Sequence, residues 1–308
     1  MNVYFGLDDI RITNPVVTIG SFDGVHSGHA KVLRNLYESA VQQPSGESVI
    51  ITFEPHPREV LYPLEKPVGL LTTLNEKIEL LSSYKIDNLI ILPFTKELAA
   101  MPYTDFVKTV LVDKIGVKTL VVGYDHHFGK NREGNYDVLK ESAQLYGFRL
   151  KQENAYMENA VNVSSTKIRK ALELGDVPTV NKLLGYRYII SGEVVHGEKI
   201  GSSIGFPTAN IQVAERKLLP ATGVYAVEVH INGKNYAGIM NIGTRPTVST
   251  SGVQTIEVHI LDFADDIYGK EISVSLIARI RGERKFDNKE ELQSQLHEDI
   301  KHLYYILN

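Results

Sequence analysis

The chain has no cysteine among its 308 residues. That excludes disulfides, thiol catalysis and any cysteine-ligated metal, and it fits a cytoplasmic protein. It has no run of about 18 apolar residues, so no membrane span is expected. Its first nine residues, Met1-Asn2-Val3-Tyr4-Phe5-Gly6-Leu7-Asp8-Asp9, have no basic segment and carry early acids, unlike a signal peptide. Charge of one sign is not in excess. A formal net charge of −4 argues against a general nucleic-acid binder. No short-period internal repeat is visible. What remains is a chain that is 43% hydrophobic and long enough for two domains with real cores.

Over the first 150 or so residues, strand and helix patterns alternate. Strand candidates are Val16–Ile19, Val49–Phe53, Leu89–Leu92, Leu120–Val122 and Arg149–Gln152. Between them, Thr73-x-x-Glu76 reads as a capping box before Ile78, Leu80 and Leu81. Further helices are expected over Tyr103–Lys114 and Tyr136–Tyr146. Such alternation predicts a parallel sheet with helices on both faces, and ligands beyond the carboxyl ends of its strands. Ser165–Leu174 and Val177–Leu184 read as two short helices. Short strand-like runs then follow: Tyr188–His196, Val224–Ile231, Tyr236–Ile242, Ile256–Leu261 and Ile272–Ile280. Turn residues such as Asn232-Gly233 separate them, which suggests a small antiparallel barrel. Helical spacing at Leu292, Leu296, Ile300 and Leu303 closes the chain. The expected domains are residues 1–184 and 185–308.

The most informative stretch is Phe22-Asp23-Gly24-Val25-His26-Ser27-Gly28-His29-Ala30. It follows a β-branched strand and leads into a helix with Val32, Leu33, Leu36 and Ala40 on one face. Two imidazoles three apart therefore sit where a strand turns into a helix. Helix N-termini offer free amides to phosphate, and imidazoles add donors that titrate near neutrality. A metal half-site and a pair of structural histidines are the alternatives. No downstream histidine pair has zinc spacing, and the flanking glycines favour an anion site.

His26-Ser27-Gly28-His29 resembles the His-x-Gly-His signature of nucleotidyltransferases. With the preceding Gly20-x-Phe22-Asp23-Gly24 it is similar to the prokaryotic bifunctional riboflavin kinase/FMN adenylyltransferase family. Seven other segments carry the same resemblance. Phe53-Glu54-Pro55-His56-Pro57 lies at a strand end, where two prolines favour an extended chain around His56. Gly123–Gly129 follows another strand, with His126 where the family usually has phenylalanine. His126 and His127, as neighbours on an extended chain, point to opposite faces and make a poor metal pair. Val163-Ser164-Ser165-Thr166-Lys167-Ile168-Arg169 opens a helix, where its hydroxyls are also natural caps. Gly201-Ser202-Ser203-Ile204-Gly205-Phe206-Pro207-Thr208-Ala209-Asn210 resembles the riboflavin kinase motif, with Ser202 where arginine is common. Leu219-Pro220-Ala221-Thr222-Gly223-Val224-Tyr225, a turn leading to a strand, Asn241-Ile242-Gly243-Thr244-Arg245-Pro246-Thr247 and Glu257-Val258-His259-Ile260-Leu261-Asp262-Phe263 complete the set.

The resemblance implies an α/β plus all-β chain. Its N-terminal domain would be a Rossmann-like nucleotidyltransferase. Its C-terminal domain would be a six-stranded antiparallel kinase barrel with a terminal helix. It implies that riboflavin is phosphorylated to FMN, with ADP released, and FMN adenylylated to FAD, with pyrophosphate released. It makes Gly20, Phe22, Asp23, Gly24, His26, His29, Asp125, Ser164, Thr166 and Arg169 the ATP site of the adenylyltransferase. His56, Pro57 and Phe128 would then contact flavin. Gly201, Ser202, Gly205, Thr208 and Asn210 would bind ATP in the kinase. Thr208 and Asn210 would take Mg²⁺, and Glu257 would be the general base. His26, His29, Arg169 and Glu257 are thus the expected catalytic residues. Mg²⁺ accompanies ATP as co-substrate, and no resident organic cofactor is expected. His259 reads as structural, and Asp262, Asp265 and Asp266 as a solvated acidic loop. No nucleic acid or membrane partner is expected, and the sequence permits an oligomer without requiring one.

Overall fold

The structure is a computed structural model that describes residues 1–62, 69–123, 134–153, 157–158, 161–197, 201, 205–245 and 253–308. The chain divides into two compact units, Met1–Ser164 and Ser165–Asn308.

The first unit holds strands β1 (Asn2–Phe5), β2 (Pro15–Ile19), β3 (Glu47–Glu54), β4 (Asn88–Pro93), β5 (Thr119–Val122) and β6 (Arg149–Gln152), with a small ribbon of β7 (Met157–Glu158) and β8 (Val161–Asn162). Its helices are α1 (Ser27–Val41), α2 (Pro57–Leu61), α3 (Leu74–Ser82), α4 (Lys96–Ala100), α5 (Tyr103–Asp105) and α6 (Tyr136–Tyr146). α5 runs on as a wider π-type helix over Phe106–Ile115. The sheet order is β1-β4-β3-β2-β5-β6 and every pairing is parallel. Strand alternation sorts the core to two faces. Val17, Val49, Ile51 and Ile90 pack on Phe106–Ile115 and α6, whereas Val16, Ile50, Leu89 and Ile91 pack on α1 and α3. From β2 the chain steps to β3 on one side and later to β5 on the other. The carboxyl end of β2 is therefore the topological switch point where open α/β sheets bind ligands.

The second unit opens with α7 (Ser165–Leu174) and α8 (Val177–Leu184). A closed barrel follows, formed by β9 (Ile189–Val195), β10 (Ala209–Val213), β11 (Gly223–Ile231), β12 (Lys234–Arg245), β13 (Val253–Ile260) and β14 (Glu271–Arg281) in the order β10-β13-β12-β11-β14-β9. α7 and α8 are stitched to the barrel. Ala221 N–H donates to Leu172 O at 2.9 Å, and Asn181 Nδ2 donates to Leu276 O at 2.9 Å. α9 (Lys289–Leu307) lays Ile300, Leu303 and Ile306 over Val224, Ala226 and Ile239. Asp299, 1% exposed, fixes its orientation by pairing with Arg281 through both carboxylate oxygens, at 3.0 Å from Nε and 2.8 Å from Nη2.

Candidate active sites

At the N-terminal switch point, Ile19 ends β2 and Ser27 begins α1. The loop between them is held in left-handed backbone at Phe22 (φ 47°), Gly24 (φ 82°) and Val25 (φ 35°). Asp23, 2% exposed, fastens it: one carboxylate oxygen accepts from Leu71 N–H at 2.9 Å and Thr72 N–H at 3.1 Å. Gly24 N–H returns the tie to Thr72 Oγ1 at 3.1 Å. Asp23 thus braces the segment before α3. Phe22, also 2% exposed, is a core residue lying 5.0 Å from the His29 ring. Gly20 has to be small, because a Cβ there would come within 3.1 Å of the Phe22 ring.

His26 caps α1, and its Nδ1 accepts from His29 N–H at 3.3 Å. In the neutral ring the proton therefore sits on Nε2. The two imidazoles stack with centroids 3.7 Å apart and planes 11° from parallel. His29 as a whole keeps some exposed surface, but its Nδ1 is sealed and has no hydrogen-bond partner. Burial, then His26, then Lys77, hold its pKa well below the ordinary 6.5, so the ring is neutral at neutral pH. A Cβ on Gly28 would lie 3.1 Å from the His26 ring and 4.0 Å from Val163 O. The stretch Val163-Ser164 therefore comes against the histidine turn. Thr166 and Arg169 lie beyond it on α7, in the second unit.

His56 is buried and caps α2, accepting from Arg58 N–H at 3.2 Å, and Pro57 is the first residue of that helix. The extended conformation expected at His56 is present (φ −59°, ψ 134°), but it turns at once into a short helix. Asp125, Phe128, His126 and His127 lie outside the described residues, as does Ser202.

Two more charged groups lie near this site: Lys77, which was not anticipated, and Glu54, from a segment expected there. Lys77 on α3 is only 4% exposed. Burial lowers its pKa, while Asp23 and Glu54 act to raise it. Glu54 ends β3; burial pushes its carboxyl up, Lys77 opposes that, and Glu59 adds to it. A signal for Lys77 does exist in the sequence. It falls three residues after Leu74 and four before Leu81, on the inward stripe of an amphipathic helix where a cation does not belong.

In the barrel, the Gly201–Asn210 segment runs into β10. Phe206 N–H donates to Gly201 O at 2.9 Å, and a Cβ on Gly201 would overlap Phe206 O at 2.3 Å. Gly205 takes a φ of 83°. Strand register then assembles the site. Asn210 on β10 and Asn241 on β12 both stand opposite Glu257 on β13. Ile256 and Val258 are buried in the barrel, so Glu257 between them points to the outer face. Thr208 Oγ1 donates to Glu257 Oε2 at 3.4 Å. A Cβ on Gly197 would fall 2.1 Å from Asn210 Nδ2, so this glycine makes room for the asparagine. His259 Nδ1 meets Pro207 O at 2.8 Å, and its ring sits against Phe206. A cavity of about 260 Å³ opens beside Thr208, lined in part by Val194, Pro207, Phe263, Asp265 and Tyr268. Asp265 and Asp266 are exposed, as expected, but they also border this cavity.

Residues 10–167 match the family model for FAD synthetase, and residues 184–307 match that for riboflavin kinase. The chain belongs to the bifunctional riboflavin kinase/FMN adenylyltransferase family. Its N-terminal half is an FMN adenylyltransferase and its C-terminal half a riboflavin kinase. The enzyme of this family from Escherichia coli strain K12 is 41% identical over 286 residues, covering 92% of this chain and 90% of the relative. That from Pseudomonas fluorescens is 38% identical over 302 residues, covering 97% and 96%. A solved structure from Streptococcus pneumoniae, named a macrolide-efflux protein, superposes with a TM-score of 0.86 at 28% identity, covering 98% of both chains. Among the described residues of this chain, no helix is long and apolar enough to cross a membrane.

Proposed function

We propose that the two reactions divide between the histidine turn and the Glu257 cluster. In the N-terminal half the phosphate of FMN attacks the α-phosphorus of ATP, and the bond to the departing pyrophosphate breaks. The nucleophile is already an anion, so no base and no covalent enzyme intermediate are required. The work is positioning and charge stabilisation. His26 through Nε2–H and His29 supply donors to phosphate oxygens. The first turn of α1 adds its dipole, and Ser164, Thr166 and Arg169 hold the remaining phosphates. Gly20, Phe22, Asp23 and Gly24 serve ATP by fixing the loop that carries the histidines. Asp125 is assigned to nucleotide binding, and His56, Pro57 and Phe128 to flavin binding.

In the C-terminal half a ribityl hydroxyl of riboflavin attacks the γ-phosphorus of ATP and ADP leaves. Glu257 accepts the hydroxyl proton. Gly201 and Gly205 let the backbone approach the phosphates, and Ser202 is assigned to ATP binding with them. The cavity beside Thr208 is mostly apolar where it is lined by Val194 and Phe263, which suits the base of ATP. Thr208 and Asn210 bring oxygen donors together beside Glu257, a pair that fits a hard cation keeping several waters. Mg²⁺ bound there would neutralise charge on the polyphosphate. The functional boundary falls after Leu184, in keeping with the start of the kinase match at residue 184. An ATP-consuming flavin pathway belongs in the cytoplasm.

The observation that carries this reading is that Glu257 stands beside Thr208 and Asn210 in the half that must activate a hydroxyl. Its test is the identity of the second product. Riboflavin with ATP should yield ADP, and FMN with ATP should yield pyrophosphate. Pyrophosphate from riboflavin alone, before any FMN forms, would contradict it.

A further inference from the structure

Thr208 sits ahead of the strand that would be expected to hold it. The β10–β13 ladder starts with Ala209 opposite Val258, so Pro207 and Thr208 precede it. The contact of Thr208 Oγ1 with Glu257 Oε2, at 3.4 Å, is long for a hydroxyl and a carboxylate. It is too weak to fix the threonine by itself. A shorter tie lies one residue back. His259 Nδ1 meets Pro207 O at 2.8 Å, and a carbonyl oxygen only accepts, so the ring donates from Nδ1–H. The Pro207 carbonyl shares a planar peptide with the nitrogen of Thr208. Holding that oxygen therefore sets the direction in which Thr208 leaves the loop.

The place of His259 on β13 suits this task. Ile256, Val258 and Ile260 are buried in the barrel, so Glu257 and His259, which alternate with them, share the outer face. One strand thus carries both the carboxylate and the donor that brings Thr208 to it. The residue before Pro207 is anchored as well. Phe206 is buried, and its N–H donates to Gly201 O at 2.9 Å. Its ring meets edge-on the rings of His259, at 5.3 Å between centroids, and of His297 on α9, at 5.1 Å. His297 is itself tied to Gln293 O at 2.8 Å. We propose that His259 is a positioning residue of the kinase reaction, its Nδ1–H holding Pro207 O so that Thr208 stands beside Glu257. The inference rests on the assignment of Thr208 and Glu257 to the kinase site.

Two substitutions in the full chain separate the ring from its donor. His259→Phe keeps a ring against Phe206 and deletes the N–H. His259→Asn loses the ring but keeps an N–H as many bonds from the backbone as Nδ1. Riboflavin phosphorylation is followed with riboflavin and MgATP varied in turn, and FAD formation from supplied FMN in the same preparations is the control. His259→Phe should lower kcat for FMN formation about ten- to a hundredfold, the scale of a misplaced reacting group, with KM for riboflavin and the control reaction within about twofold. His259→Asn should keep kcat within about threefold of wild type. The rise in melting temperature that MgADP gives the C-terminal unit should shrink in His259→Phe and persist in His259→Asn. A side chain that only packs predicts the reverse order, because asparagine removes the ring. His259→Asn impaired as much as His259→Phe, or more, would overturn the proposal. So would a kcat within about twofold of wild type in His259→Phe. If His259→Phe does not fold its C-terminal unit, His259→Asn decides. FMN formation within about threefold of wild type supports the proposal, and a greater loss in a variant that melts like wild type overturns it. Glu257→Ala, assayed in parallel, separates the two levels of failure. If it keeps riboflavin phosphorylation, the site assignment itself is wrong. If it loses that activity while His259→Phe does not, only the role of His259 falls.

Discussion

In the N-terminal half, the groups proposed to meet substrate are two stacked imidazoles, one of them buried enough to be neutral, at the mouth of a helix. In the C-terminal half the group proposed to meet substrate is a carboxylate on the outer face of a barrel strand, half-buried and touching a threonine hydroxyl. The difference follows the two nucleophiles. FMN brings a phosphate that is already anionic, so its site needs donors and rigidity and no proton acceptor. Riboflavin brings an alcohol, which attacks only as its proton leaves, so its site needs a base within hydrogen-bond reach. One chain thus carries two ways of using ATP. Each is built on what its fold offers: a helix N-terminus at a switch point in the parallel sheet, and cross-strand register in the barrel.

Removing the proposed base should give the largest effect. Glu257→Ala should slow riboflavin phosphorylation by about 10²- to 10⁴-fold, the usual scale for a general base, while FAD formation from supplied FMN continues. Steady-state assays with each flavin supplied separately measure this, and unimpaired FMN production would end the role of Glu257 as base. The mirror experiment is His29→Ala. Loss of a preorganised donor to developing charge should cost FAD formation about 10²- to 10³-fold and leave FMN formation within twofold.

Stability should separate the halves as activity does. Asp299→Ala leaves the Arg281 guanidinium without its buried partner, which should destabilise the C-terminal unit by about 3–5 kcal/mol. Calorimetry should show that unit melting earlier, with the N-terminal transition unmoved. The exposed Lys301–Glu298 pair (2.7 Å) is the control: Glu298→Ala should cost under about 1 kcal/mol. A smaller effect distinguishes the N-terminal half. His29 binds its proton less readily when folded than its ordinary pKa of 6.5 allows. The unfolded chain therefore takes up that proton first. The contribution of neutral His29 is fully present above pH 6.5 and is lost as the pH falls below it, by at most about 1.4 kcal/mol per pH unit. His29→Gln should flatten that slope, measured by denaturant unfolding between pH 5 and 7; an unchanged slope would mean the imidazole is not held neutral.

Much of this was legible in the sequence, and the parts that were not share physical reasons. Continuous β-branched runs such as Val49–Phe53 and the Thr73/Glu76 cap gave strands and helices within a few residues of where they lie, because local pattern decides them. β1 was not anticipated. It has four residues, half-exposed at a sheet edge, and its partner Asn88–Ile91 is more than 80 residues away. The start of β10 was hidden inside a glycine- and proline-bearing motif, although its register is what brings Asn210 to Glu257. Motif spacing identified His26 and His29 as a pair but not that they stack. Nor could it tell that Asp23 spends its carboxylate on the amides of Leu71 and Thr72, since a carboxylate beside glycine reads alike whether it faces ligand or backbone. Lys77 was passed over because a lysine on a helix is normally solvated, and only its place on the apolar stripe marks it out.

The most direct test of the whole account is a chromatographic time course with riboflavin, ATP and Mg²⁺ as the only reagents. FMN should appear first, with ADP. FAD should follow at the expense of FMN, with pyrophosphate. No flavin product from riboflavin, and none again when FMN is supplied in its place, would contradict the account.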